Sequence, residues 1–319
     1  MTERKTILGF SCGVAAGALW GFALLAPALI RPFTPLQLAC ARFTFYGLLA
    51  ALLILPHWKK TFSHIGRQEW LGLLALSLLG NIVYYVLFGM GVQMAGSAMP
   101  TLIVGFLPVT VTIIGSLEHG AVPLRKLIPS ILLSVGGMGC IAYHAYTLAQ
   151  NAPHHSDALR LATGLLCAIG ALLSWSAYAI KNARWLNHLT HTSEHEWNLL
   201  TGLVTGILAL CLIPVGFLWN GPLPQEGWSW FLTVSLSAAL LASIIGNAFW
   251  NKMSRLLPLT MVGQMILFET LFALIYAFIH EHRLPAFSEI LAILLVGSSV
   301  ITCMHAHRKP VESVAEGHG

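Results

Sequence analysis

The sequence predicts an all-α membrane protein of ten transmembrane helices, arranged as two inverted five-helix repeats with both termini in the cytoplasm. Hydrophobic residues make up 56% of the 319 residues and charged residues only 9%, which leaves too little charge to cover a soluble domain. Ten apolar stretches are long enough to cross a hydrocarbon core about 30 Å thick, which takes about 20 helical residues. Basic residues also alternate from one side of these stretches to the other, as they do around membrane spans.

The ten predicted spans divide into two sets of five. They cover approximately 7–29, 34–56, 69–91, 97–117, 125–148, 161–181, 196–219, 227–250, 258–280 and 285–305. Residues 7–148 therefore form a first repeat and residues 161–305 a second, joined by a polar outer linker at 149–160 and followed by a cytoplasmic tail at 306–319. Because five is odd, the second repeat enters the bilayer in the opposite orientation from the first.

Basic residues fix the predicted orientation. With the N-terminus inside, 13 lysines and arginines fall on the inner side and three on the outer side, while Arg42 lies within a span. The positive-inside rule favours this arrangement. The net charge of +5 is thus explained by membrane topology, and no nucleic-acid partner is predicted.

Short sequence echoes between the halves indicate a duplication. Trp20 in span one corresponds to Trp175 in span six, and Asn81-x-x-Tyr84-Tyr85 in span three corresponds to Asn247-x-x-Trp250-Asn251 in span eight. The stretch 106–109 in span four matches 267–270 in span nine. Inverted repeats of this kind place a solute site near the bilayer midplane, at the interface between the halves.

These features resemble a known family. Two five-span repeats, Ala41-Arg42-Phe43 in span two and Phe268-Glu269-Thr270 in span nine are similar to EamA-type transporters of the drug/metabolite transporter superfamily. The resemblance implies secondary transport of small organic solutes, often export, across the bacterial inner membrane.

Two ionisable residues are predicted to lie inside the bilayer. A lipid-facing arginine costs roughly 2.5–3.5 kcal/mol or more, so Arg42 must face protein or water. It could bind a substrate carboxylate, pair with an acid, or bridge backbone carbonyls. Glu269 lies near the middle of span nine, where burial favours the neutral carboxyl. It is a candidate carrier of a coupling proton, or alternatively a protonated or arginine-paired contact between helices.

Asparagine and aromatic side chains mark candidate cavity walls. Asn81, Tyr84 and Tyr85 share one helix face with Phe88, at i, i+3, i+4 and i+7. A lipid-facing amide would be unsatisfied, so these faces are predicted to line a cavity for an amphipathic molecule. The complete set of predicted substrate-binding residues is Trp20, Arg42, Asn81, Tyr84, Tyr85, Trp175, Tyr178, Asn247, Trp250 and Asn251.

Small residues predict how two spans behave. Gly9, Gly13, Gly17 and Gly21 recur every four residues and form one stripe along span one, against which another helix can approach closely. Span four contains Pro100, Gly105 and Pro108, which predict a kink or a broken helix.

A secondary transporter of amino acids or amphipathic metabolites is the predicted function. A facilitative uniporter or channel-like pathway is the first alternative, although no repeated filter or charged ring is visible. An intramembrane enzyme is the second, although no HExxH, GxSxG or paired intramembrane aspartates occur. No cofactor or metal is predicted; the expected partners are a small organic solute and the lipid bilayer. Protons are a candidate coupling ion, and a homodimer is left open.

Overall fold

A computed structural model describes residues 3–63, 65–95, 100, 103–118, 120–149, 158–218, 224–282 and 284–307. Over these residues all regular secondary structure is helical. The helices, numbered in chain order, are α1 Glu3–Leu29, α2 Pro35–Ile54, α3 Trp58–Ser63, α4 Arg67–Ser77, α5 Val83–Ala95, α6 Leu107–Gly115, α7 Leu124–Ala149, α8 Ala158–His188, α9 Glu194–Leu218, α10 Trp228–Ala238, α11 Asn247–Leu256, α12 Leu259–Met265, α13 Leu267–Glu281 and α14 Phe287–Ala306. Most of the predicted linker (150–157) and of the predicted tail (308–319) lies outside the described residues.

Nine helical stretches of the described chain are long and apolar enough to cross a membrane. They are Arg4–Pro27, Pro35–Ser63, Arg67–Ala95, Leu124–Tyr143, Leu159–His188, Glu194–Leu218, Trp228–Leu256, Leu259–His280 and Phe287–Ala306. Each overlaps one of the ten predicted spans. The remaining predicted span is 97–117. Residues 97–99 and 101–102, near its start, are not described, so the count of ten stays a prediction.

Local sequence signals explain where the second helix begins. Thr34 caps α2: its hydroxyl accepts a hydrogen bond from the Gln37 backbone N–H at 3.3 Å, and the Gln37 side chain accepts from the Thr34 N–H at 2.9 Å. Pro35 follows at the first helical position, where its missing N–H has no cost. The chain therefore turns sharply from α1 into α2.

Several long helices pack as antiparallel pairs that join the two halves of the sequence. The main pairs are α2 with α9, α7 with α14, and α5 with α8, while α6 packs on α12. Contacts run in opposite directions along these pairs, as Gly80 against the Tyr178 ring and Gly91 against Gly164 show for α5 and α8. The interior of the protein is consequently built from both halves together.

The glycine stripe of α1 is the seam against the broken helix α12–α13, as the spacing predicted. A Cβ on Gly13 would lie 2.8 Å from Met265 Sδ, and one on Gly17 would lie 2.5 Å from Phe268 Cβ and 2.9 Å from the Glu269 backbone nitrogen. These distances are below van der Waals contact. Only glycine allows α1 to come this close, so the stripe fixes the backbone around Glu269.

Another close approach joins α2 to α9. A Cβ on Gly47 would lie 2.6 Å from the Gly206 Cα, and one on Gly206 would lie 2.5 Å from the Gly47 Cα. Beside this crossing, the buried Tyr46 hydroxyl donates to the Asn198 backbone carbonyl at 2.8 Å. The two helices are thus held backbone against backbone.

Candidate functional site

A polar cavity lies in the interior between the two halves of the chain. Its volume is about 70 Å³, and its wall is formed by α1, α2, α5, α6, α8, α11, α13 and the segment that precedes α5. Nine of the eleven candidate residues named above line it: Trp20, Arg42, Asn81, Tyr84, Tyr85, Trp175, Tyr178, Asn247 and Glu269. Most of the side chains that the sequence patterns singled out therefore lie around one cavity.

Arg42 is held in the wall by neutral partners. It is 8% exposed; its Nε donates to Ser243 Oγ at 3.0 Å and its Nη1 donates to the Tyr85 hydroxyl at 2.8 Å. The guanidinium carbon also lies 5.4 Å from the centre of the Phe43 ring. Within the described part of the chain, Nη2 makes no hydrogen bond and no carboxylate forms a salt bridge with Arg42. A positive charge with unused donors thus borders the cavity.

The two asparagines are each fixed by one hydrogen bond to a different helix. Asn81 Nδ2 donates to Thr205 Oγ1 at 3.1 Å, and Asn247 Oδ1 accepts from Trp20 Nε1 at 3.0 Å. Both amides line the cavity. They can therefore present oriented polar atoms to a solute without rearrangement.

Glu269 enters the cavity just after a break in its helix. Met265 ends α12, Ile266 forms a turn, and Leu267 begins α13, so that Glu269 lies in the first turn of the second piece. The sequence did not predict this break. The turn at Gly105 and Phe106 before α6, which the prolines and glycine of span four did predict, lies at the corresponding position of the first half. Two interrupted helices thus meet at the cavity.

Aromatic rings close the cavity on the side where α1 begins. The Trp20 ring centre lies 4.9 Å from that of Trp250 and 6.0 Å from that of Trp175, and Trp175 lies 5.6 Å from Trp250. Trp250 is 1% exposed and does not line the cavity. The expected contact of Trp250 with a solute thus has no support from this geometry, because the ring lies beneath Trp20 and Trp175.

Asn251 also lies outside the cavity wall. It is buried; its Oδ1 accepts from Asn182 Nδ2 at 2.9 Å, and its Nδ2 donates to the Glu194 backbone carbonyl at 3.3 Å. Trp197 Nε1 in turn donates to Asn182 Oδ1 at 3.2 Å. In this structure Asn251 joins α11 to α8 and α9 below the aromatic rings, and it does not face the cavity.

Two π-helical segments beside the asparagines were not foreseen. They are Leu78–Ile82, which contains Asn81, and Ala239–Gly246, which ends directly before Asn247. Gly80 in the first lies against the Tyr178 ring, and Gly246 in the second lies against the Trp20 ring. π segments are rare and occur frequently at functional sites. The only signal in the sequence was the glycine next to each asparagine.

A second, larger cavity adjoins the polar one. Its volume is about 270 Å³, and its lining is apolar except for Tyr84, Glu269 and Thr270. Four residues, Leu24, Tyr84, Leu107 and Glu269, line both cavities. The interior therefore offers a polar space and an apolar space side by side. Together the two spaces can hold a small solute inside the helical bundle.

Comparisons with known proteins indicate the class of protein. Residues 7–143 match the EamA-like transporter family. The chain is 29% identical to "Inner membrane protein YtfF" of Escherichia coli (strain K12), over 97% of this chain and 99% of that protein. It is 24% identical to "Uncharacterized transporter YdeK" of Bacillus subtilis (strain 168), over 96% and 99% of the two chains.

The fold is also shared with a solved structure, "Crystal structure of protein". The two align with a TM-score of 0.73 at 16% identity, over 96% of this chain and 98% of the other. The resemblance drawn from the sequence is thus confirmed: residues 7–143 form an EamA-like transporter domain. The protein is a multi-pass transporter of the bacterial inner membrane.

Proposed function

We propose that the protein is a secondary active exporter of small organic metabolites, such as amino acids or amphipathic compounds. The observation that carries this proposal is the polar cavity, in which Arg42 and Glu269 border the same space without being paired to each other. An arginine and a glutamate left unpaired in a membrane interior are costly unless a ligand or water meets them. A solute with an anionic group for Arg42 and polar groups for the asparagines fits this wall.

Alternating access is the proposed mechanism, with the halves 7–148 and 161–305 moving against each other. The aromatic contact among Trp20, Trp175 and Trp250 closes one end of the path, which is the inner end if the N-terminus is cytoplasmic. Opening that end requires these rings to separate. The interrupted helices at Gly105–Phe106 and Ile266 supply places where the backbone can bend.

The direct test is flux in reconstituted vesicles. A screen of amino acids and amphipathic metabolites, with and without an imposed pH gradient, is expected to find a solute whose uptake saturates and exchanges across the membrane. Flux that stays linear with concentration and shows no exchange would instead support the channel-like alternative. The oligomeric state is a separate matter, since a homodimer remains a prediction from the sequence.

Replacing Arg42 by alanine is expected to weaken solute binding about ten- to a hundredfold. The variant removes a charge-assisted hydrogen bond to the anionic group, a contact of about 1.5–3 kcal/mol. Equilibrium binding to the purified variant measures the effect. Arg160→Ala is the matched control, because Arg160 is exposed and, among the residues that the structure describes, bonds only the Gln93 backbone carbonyl, at 3.3 Å. Wild-type affinity in Arg42→Ala would remove Arg42 from the binding site.

Replacing Asn81 or Asn247 by leucine is expected to raise the apparent KM about two- to tenfold while membrane insertion stays intact. Each change removes one oriented hydrogen-bonding group, a loss of about 0.5–1.5 kcal/mol. Transport kinetics and the amount of protein in the membrane fraction are the two measurements. Thr233→Leu is the control, since Thr233 is exposed and its hydroxyl donates to the Ser229 backbone carbonyl of its own helix, at 2.8 Å. An unchanged KM in both asparagine variants would contradict their proposed role.

A further inference from the structure

The apolar cavity beside the polar one has no role in the proposal so far. It lies between α1, α5, α6, α7 and α13, with Phe88, Met138 and Ala142 among its lining residues. Leu24 and Leu107 belong to both cavities, and so do Tyr84 and Glu269. The two spaces are therefore direct neighbours, with these four side chains as their common wall.

We infer that the two cavities form one bipartite site, in which the polar cavity holds a charged head and the apolar cavity takes an alkyl or aryl tail of the same solute. The inference rests on the proposed function and names the substrate class more narrowly. It assigns the charged residues to recognition of the head and the apolar cavity to selection by tail size.

The placement of polar groups supports one continuous ligand. Among the described residues, the only ionisable side chains of the apolar cavity are Tyr84 and Glu269, which also line the polar cavity and so mark the junction between them. Away from this junction the wall offers water few partners, and apolar cavities of this kind are poorly hydrated. A tail that continues from a head at the junction would bury apolar surface there, with no polar atom left unsatisfied.

Aromatic side chains extend the wall from one space into the other. The Tyr84 and Phe88 rings are nearly parallel, at 12°, with their centres 6.0 Å apart. Tyr84 lines both cavities and Phe88 lines the apolar one. A solute tail can therefore follow a continuous aromatic surface out of the polar cavity.

Two lining residues of very different size are suited to limit the length of the tail. Phe88 on α5 fills part of the apolar cavity, whereas Ala142 on α7 leaves room in front of its helix. A larger residue at 142 would shorten the space, and a smaller residue at 88 would lengthen it. The inference thus predicts opposite shifts from the two changes.

The test measures binding of homologous series to purified protein in nanodiscs. The probes are straight-chain 2-amino acids from alanine to 2-aminodecanoate, n-alkyl carboxylates and n-alkyl amines, with n-alkanols as uncharged analogues. In the wild type, affinity for at least one charged series is expected to rise by about fourfold per methylene until the cavity is full, and then to fall. The alkanols are expected to bind far more weakly at equal length.

Two variants of the apolar cavity test whether its size sets the optimal tail length. Ala142→Phe is expected to move the optimum to shorter tails by two or more carbons, and Phe88→Ala to move it to longer ones. Leu132→Phe on the same helix α7 is the control, because Leu132 is 65% exposed and lines neither cavity, and its optimum is expected to match the wild type.

The outcomes that overturn the inference are distinct from failure of the proposed function. Absence of any length dependence, or an optimum that is identical in all variants, would overturn it. Alkanols that bind as tightly as the charged series would also overturn it, because the apolar cavity would then accept acyl chains alone. Failure of the proposed function appears elsewhere, as the absence of saturable exchange in vesicles.

Discussion

Replacing Glu269 by glutamine is expected to abolish the stimulation of solute flux by a pH gradient. Glu269 lines both cavities, it has no salt-bridge partner among the described residues, and it is placed where the helix is interrupted. Glutamine keeps the size and the polar atoms of the side chain but cannot exchange a proton. Uncoupled exchange of solute across the membrane should therefore persist, while the gradient no longer drives net flux.

The measurement compares net flux and exchange in vesicles of known pH on each side. Glu226→Gln is the control, since Glu226 is an exposed residue in the segment before α10 and should leave both rates unchanged. Full gradient-driven flux in Glu269→Gln would show that the proton is carried by another group. Loss of exchange as well as coupling would indicate that Glu269 serves in solute binding.

Replacing Gly17 by leucine is expected to destabilise the protein and to stop transport. A Cβ alone would approach Phe268 Cβ to 2.5 Å and the Glu269 backbone nitrogen to 2.9 Å, and leucine adds three more carbons. Overpacking of this kind costs about 1–3 kcal/mol, with more expected here because backbone stands in the way. The thermal unfolding midpoint should fall by several degrees.

A matched substitution separates packing from a general effect of leucine. Gly139 on α7 is exposed and has no heavy atom within 4 Å of a built Cβ, so Gly139→Leu should leave the unfolding midpoint and the flux near wild type. Gly17→Ala should lie between the wild type and Gly17→Leu. Equal midpoints for the leucine variants at positions 17 and 139 would contradict the seam between α1 and α12–α13.

Periodicity predicted which faces of the helices point inward, and composition predicted nine of the spans that the structure describes. Asn247 and Trp250 show what periodicity does not predict, which is the extent of the cavity. They do share a helix face, as the spacing of three indicates, but the cavity stops between them because the rings of Trp20 and Trp175 close over Trp250. Residue spacing predicts on which face of a helix a side chain lies. How far a cavity extends along that face depends on side chains from other helices.

The π segments and the break before Glu269 could not be predicted from the sequence, for a related reason. An extra residue in a helical turn has no residue preference strong enough to read from one sequence. It is stabilised by tertiary contacts, here the Tyr178 ring on Gly80 and the Trp20 ring on Gly246. Each ring belongs to the opposite half of the chain from the glycine it covers, so these contacts require both halves to be packed together.

The contact of Gly47 with Gly206 has a consequence for how related chains can diverge. Because a Cβ on either glycine would overlap the Cα of the other, a larger residue at either position would push α2 away from α9. Arg42 lies five residues before Gly47 on α2, so the same displacement would draw the guanidinium outward and widen the space it borders. If the polar cavity is the proposed solute site, the spacing of the glycine pair sets the width of that site. Sequence variation at these two positions is therefore expected to track differences in substrate size among relatives, even though neither residue lines either cavity.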